Sequence, residues 1–112
     1  MTYAPLREPT FLILTALAAR PQHGYGILRD VEEISDCRVV LQAGTLYAAL
    51  DRLSGDGWVD VDREEVVDGR LRRYYRLTEP GAARLAAEVE KLAAHTRVAR
   101  QRLRARFSGG TA

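Results

Sequence analysis

The feature that most constrains this chain is a row of residues near its C-terminus. Leu85, Val89, Leu92, Thr96, Ala99 and Leu103 recur at intervals of 4, 3, 4, 3 and 4, the a/d spacing of a helix that lays one seam against a partner helix. Thr78 reads as the N-cap, with Glu79 and Pro80 in the first turn, and the pattern runs on to Phe107. Such a helix is long for a compact domain. A chain of 112 residues makes one domain of ordinary size with a modest core. The seam, weakened by Thr96 and Ala99, therefore predicts a second copy of the chain as its partner. This divides the chain into a folded unit over 1–78, a dimerisation helix over 79–107 and a flexible tail over 108–112.

Three shorter helices are expected inside the first unit. Pro9 suits a first turn, and Phe11, Leu12, Ile13, Leu14 and Leu17 follow it, predicting a nearly all-apolar core helix over 10–19. Residues 20–24 carry Pro and Gly punctuation and read as a loop. A second helix over 25–34 gathers Ile27, Leu28, Val31 and Ile34 on one face. Residues 35–42 read as a turn with a short extended run at 39–41. A third helix over 43–54 carries the stripe Leu46, Leu50, Leu53. Alternation over 58–62 predicts a strand. Asp68-Gly69 is a strong hairpin turn signal, and 71–77 is the return strand. The fold class is thus mainly α with a small β-hairpin (α+β): a winged helix-turn-helix plus a long C-terminal dimerisation helix.

Charge distribution limits what this unit binds. The net charge is only +2. Residues 21–60 hold three arginines against seven acids, a net of −4, whereas 78–112 hold seven basic residues against three acids, a net of +4. Any DNA-binding surface must rest on a few well-placed arginines rather than on a basic domain. With Leu46, Leu50 and Leu53 inward, the third helix presents Gly44, Ala48 and Asp51 outward, flanked by Thr45, Tyr47 and Arg52. Small residues let the helix backbone enter a major groove. Gln42, Thr45 and Tyr47 sit near its N-terminal end, where helix-turn-helix proteins touch bases and phosphates, and Arg52 is long enough for a phosphate or a guanine edge. Asp51 is expected beside a local arginine. On the hairpin, Arg63, Arg70, Arg72, Arg73 and Arg76 cluster around Tyr74 and Tyr75 and can grip phosphate bidentately. The same arginines can instead pair with Asp60, Asp62, Glu64, Glu65 and Asp68; the expectation is that some pair and one or two at the tip do not.

Other chemistries find little support. His23, His95 and Cys37 are the only His and Cys residues and stand at no ligand spacing, so neither a metal nor another cofactor is expected. The chain carries no phosphate loop, nucleophile elbow or metalloprotease motif, and no enzyme is expected. The apolar stretch 11–19 is too short to span a bilayer, and the first residues lack a secretory layout. With a single cysteine, a cytoplasmic setting without membrane contact is expected.

Gly44-Thr45-Leu46-Tyr47, followed by Leu50, Arg52-Leu53 and Gly57, then Gly69-Arg70, Arg73, Tyr75, Leu77-Thr78 and Gly81, resembles the PadR family of transcriptional regulators. His23-Gly24-Tyr25 with Gly26 and Ile27 matches its second-helix entry. The resemblance covers roughly residues 9–85, and the single C-terminal helix is similar to the short subfamily. It implies a homodimer that represses a nearby operon by binding operator duplex DNA and is released by a small-molecule effector. It also implies that Tyr25 and Tyr47 lie near the DNA backbone and that Arg70 and Arg73 occupy basic wing positions. Gln42-Ala43 departs from the family pattern before the Gly-Thr-Leu-Tyr motif, leaving base preference open. Candidate effector-lining residues are Tyr3, Phe11, Trp58 and Phe107, with Trp58 also readable as a core residue at the wing base. The competing reading is a winged-helix module that docks a protein partner without DNA, favoured by the acidic stretch 21–60.

Overall fold

The computed structural model describes residues 4–109. The elements run α1 (Glu8–Ala19), β1 (Gln22–His23), α2 (Gly24–Ile34), α3 (Ala43–Gly55), β2 (Val59–Val67), β3 (Arg70–Leu77) and α4 (Glu79–Ser108). Helix α1 opens with Glu8 and Pro9 in its first turn and buries Leu12, Ile13, Leu14, Ala16 and Leu17, so it is the central core helix. Ile27 and Val31 of α2 and Leu46, Ala49, Leu50 and Leu53 of α3 close on it. Ile34, expected on the buried face of α2, is largely exposed at that helix's end.

The hairpin turns on Asp68 and Gly69, whose φ angles of 53° and 76° are those of a two-residue type I′ turn. Pairing runs from Val67↔Arg70 back to Val59↔Leu77, with a bulge between Val61 and Arg63, so β2 extends beyond the expected 58–62. Two further expectations are corrected. The loop over 20–24 contains β1, which adds a third strand in the order β1-β3-β2 through Gln22↔Tyr75 and His23↔Tyr74. The run at 39–41 joins no sheet; Val39 and Leu41 instead pack irregularly against the core.

Thr78 caps α4: its hydroxyl accepts from the Gly81 N–H at 3.1 Å and donates to the Gly57 carbonyl at 2.6 Å. A Cβ at Gly81 would run into the Trp58 carbonyl, so α4 starts with backbone pressed on backbone at the wing base. Its first half belongs to the core. Leu85 is only 8% exposed and packs within its own chain, which corrects its place in the expected seam. Arg84 and Glu88 are also buried and ion-paired at 3.1 Å. The Arg84 Nη2 donates to the Ala4 carbonyl at 2.6 Å, the Leu6 N–H donates to Glu88 Oε2 at 3.3 Å, and Lys91 Nζ lies 3.1 Å from the same oxygen. These bonds clasp residues 4–6 onto α4. From Leu92 onward every described residue of α4 is exposed. Of the tail expected over 108–112, Ser108 closes α4 and Gly109 caps it, and 110–112 lie outside the described residues.

Candidate nucleic-acid interface

Helix α2 begins where β1 ends, so its N-terminus is tied to the wing. His23 does the tying: its Nδ1 accepts from the Gly26 N–H at 3.1 Å as the N-cap of α2, while its backbone pairs with Tyr74 and its ring meets the Tyr74 ring edge-on at 5.3 Å. That acceptor role requires a neutral imidazole on Nδ1. Burial, then the nearby Arg72 charge, push His23 below its ordinary value, against an opposing pull from Glu65. His23 was part of the motif read from the sequence, but a capping histidine has no propensity signal of its own.

An open cleft of about 580 Å³ lies between this joint and the wing, lined by Tyr25 and Tyr47 on one side and by Arg70, Arg72 and Arg73 on the other. The fold thus brings together five of the ten expected DNA-contacting residues. Strand register decides which arginines are free. Arg76 sits opposite Asp60 and Arg73 opposite Glu64, and both pairs are made, at 2.7 and 3.4 Å. Arg72 sits opposite Glu65, but Arg63 holds that carboxylate at 3.0 Å and Asp62 at 3.1 Å. The hydrogen bond from Arg63 keeps the Glu65 carboxyl below its ordinary value. Arg63 also stacks over the Tyr74 ring at 3.9 Å. Arg70 faces only Val67. Arg70 and Arg72 accordingly make no ion pair among the described residues, while the paired arginines are about half-exposed and their pairs are weak.

The remaining expected residues lie along α3. Gln42 is the N-cap position, and its side chain makes no cap hydrogen bond. Gly44 has open space above it, and Thr45 and Ala48 are exposed. Arg52 lies on the other flank: its Nη2 donates to Thr10 Oγ1 at 3.3 Å, beside Thr45, Ala48 and the start of α1. It does not join the wing arginines. Asp51 makes no ion pair among the described residues, contrary to expectation. Of the residues expected to line an effector site, Trp58 packs partly against the core, with Arg84 5.7 Å above its ring, and lines a cavity of about 440 Å³ with Pro5, Leu6, Arg7, Arg52 and Leu53. Phe11 packs against the core and does not line that cavity. Phe107 is 77% exposed near the far end of α4, and Tyr3 lies outside the described residues. Trp58, Phe11 and Phe107 do not line one cavity of a single chain.

The family model for the transcriptional regulator PadR-like family matches residues 13–87, which takes in the core, the cleft and the wing. The chain belongs to the PadR-like family. Its members are transcriptional regulators, not enzymes. A PadR family transcription regulator from Clostridium difficile superposes with a TM-score of 0.71 at 27% identity, covering 87% of this chain and 99% of that one. The transcriptional regulator Rv3488 of Mycobacterium tuberculosis is 44% identical over 57 residues, about half of either chain (51% and 52%). Bacillus subtilis PadR, whose structure is of a complex with operator DNA, shares the fold at a TM-score of 0.66 and 21% identity over 74% of this chain and 48% of its own. The chain is accordingly a transcriptional regulator of the PadR-like type with a winged-helix fold. No helix among the described residues is long and apolar enough to cross a membrane, and none of their His, Cys, Asp and Glu side chains group as a metal site.

Proposed function

We propose that this protein is a homodimeric repressor that holds operator DNA between α3 and the wing and is released by a small molecule. The carrying observation is the cleft in which the two unpaired wing arginines, Arg70 and Arg72, face Tyr25 and Tyr47. Guanidinium groups without carboxylate partners are available to phosphate. The small outer face of α3, from Gln42 through Gly44 and Thr45 to Ala48, suits a major groove. Val89, Leu92 and Leu103 of α4 are 42–49% exposed, and with Thr96 and Ala99 they form the row a second copy would cover, leaving 79–107 as the dimerisation element. The cavity at Trp58 is a place in one chain where an effector would meet an aromatic ring.

A gel shift on the DNA upstream of the protein's own gene tests the reading. Wild type shifts it, and Arg70→Ala and Arg72→Ala each weaken binding to all sequences and flatten the salt slope by about one ion. Arg76→Ala, which removes a paired arginine, does less. A folded dimer that shifts no DNA at low salt overturns the reading in favour of a protein-docking module, whose support is the acidic 21–60 surface and the unpaired Asp51.

A further inference from the structure

Gly24, the first residue of α2, is buried, and its reason for being glycine is spatial. Its φ is not in the left-handed region, so any L-residue could take its backbone, and alanine is the better helix former. A methyl at this position would, however, collide with the Tyr47 side chain: it would lie against Oη, 2.8 Å from Cζ and 3.3 Å from Cε1, where real Cβ atoms are essentially never found or must push a neighbour aside. The phenol of Tyr47, reaching across from α3, thus lies directly on the first turn of α2. Tyr47 is still 47% exposed, and it lines the cleft that also holds Arg70 and Arg72. One residue earlier, His23 pairs with Tyr74 of the wing. The ring therefore touches a backbone segment that is tied to the wing through the pairing of β1 with β3.

The geometry points to Gly24 as a positioning residue for DNA binding: its missing side chain seats Tyr47 so that the phenol hydroxyl stands in the cleft, and a methyl there would swing the half-exposed ring out of that place. This rests on the DNA-binding reading above. Gly24 itself need touch no DNA; it acts through Tyr47.

The test is a double-mutant cycle on the full chain, reading affinity for the upstream DNA fragment and melting temperature for each variant. Gly24→Ala should weaken binding by about tenfold, as Tyr47→Ala does, the scale of one lost contact. Because Tyr47→Ala removes the ring that the new methyl would strike, Gly24→Ala on that background should cost no further affinity and no further melting temperature. Tyr47→Phe removes only the atom nearest the methyl, so Gly24→Ala on that background should cost less than it does in wild type, and this pair keeps the test open if Gly24→Ala alone folds poorly. Losses that multiply across the cycle overturn the seat. Tyr47→Ala binding DNA like wild type, with only the melting temperature moving, overturns it as a DNA-binding device and leaves a packing role. Wild type failing to shift the fragment overturns the DNA reading itself, and this inference with it, a result visible before any variant is made.

Discussion

The two halves of α4 follow opposite rules. Residues 79–91 are a piece of the core: Gly81, Arg84, Leu85 and Glu88 are buried there, and a carboxylate and a guanidinium hold the N-terminal segment in place. Residues 92–108 are exposed throughout, carry Arg97, Arg100, Arg102, Arg104 and Arg106 without a single acid, and form no ion pair among the described residues. Yet the apolar spacing crosses from one half to the other without a break. Periodicity reports which side of a helix is apolar and is blind to whose core covers that side. The buried charge pair makes the same point from the polar side, because hydropathy reads Arg84 and Glu88 as solvated surface. Their burial is sustained by hydrogen bonds to Ala4 and Leu6, far away in the chain, that no local pattern announces.

The comparison breaks most sharply at Leu92. Leu92→Glu places a carboxylate in both copies of the proposed seam and should raise the dimer dissociation constant by at least about a hundredfold, as measured by sedimentation. Leu85→Ala, seven residues earlier in the same row, should instead lower the urea midpoint of the folded unit, by a stability loss of about 2–5 kcal/mol. A dimer that survives Leu92→Glu removes the distinction between the halves.

Arg84→Ala comes next. Removing one member of the buried pair leaves the Glu88 carboxylate short of a partner and should lower the melting temperature by about 10 °C or more. Arg100→Ala, an unpaired arginine of the distal half, should leave it within about 2 °C. Similar shifts for the two would mean that burial does not separate them.

The smallest effect is on acid stability. Burial opposes ionisation of Glu88, but hydrogen bonds from Lys91, Arg84 and the Leu6 N–H, with the Lys91 charge, prevail and hold its carboxyl below the ordinary value. A carboxyl depressed in the folded state contributes stability that is full above the unfolded value and lost as pH falls through the lower folded value. Glu88→Gln should therefore flatten acid unfolding monitored by circular dichroism in that range. An unchanged acid limb would assign the sensitivity to other carboxylates.

Much of the fold was legible because its signals are local. The leucine stripe of α3, the Asp68-Gly69 turn and the Thr78 cap each state their conformation within a few residues. Strand β1 did not, since two residues carry no period; it exists because β3 offers an edge next to Gln22 and His23. In the site, residue types pointed to an arginine wing, but which arginines are free follows largely from register. Counting back from the two-residue turn sets Arg73 against Glu64, a step available from sequence alone, but it would set Arg76 against Val61; the bulge at Asp62 shifts the register by one and brings Arg76 opposite Asp60. That Arg63 takes Glu65 away from Arg72 is a competition between a same-strand neighbour two residues away and a cross-strand one, which register alone does not decide. The turn of Arg52 toward Thr10 was not legible, because helix phase places it on a flank without saying that Thr10 stands there.

The backbone contact between Gly81 and Trp58 makes α4 a lever with a hard fulcrum. Thirty residues of unbroken helix span about 45 Å, so a tilt of only about 5° at that pivot carries the far end by roughly 4 Å. A tilt of that size at the Trp58 carbonyl, slight in the wing base itself, would arrive at Leu103 and Phe107 as a displacement about the width of a methyl group. In a pair of such levers joined at their tips, the gap between two reading heads would be adjusted from the fulcrum.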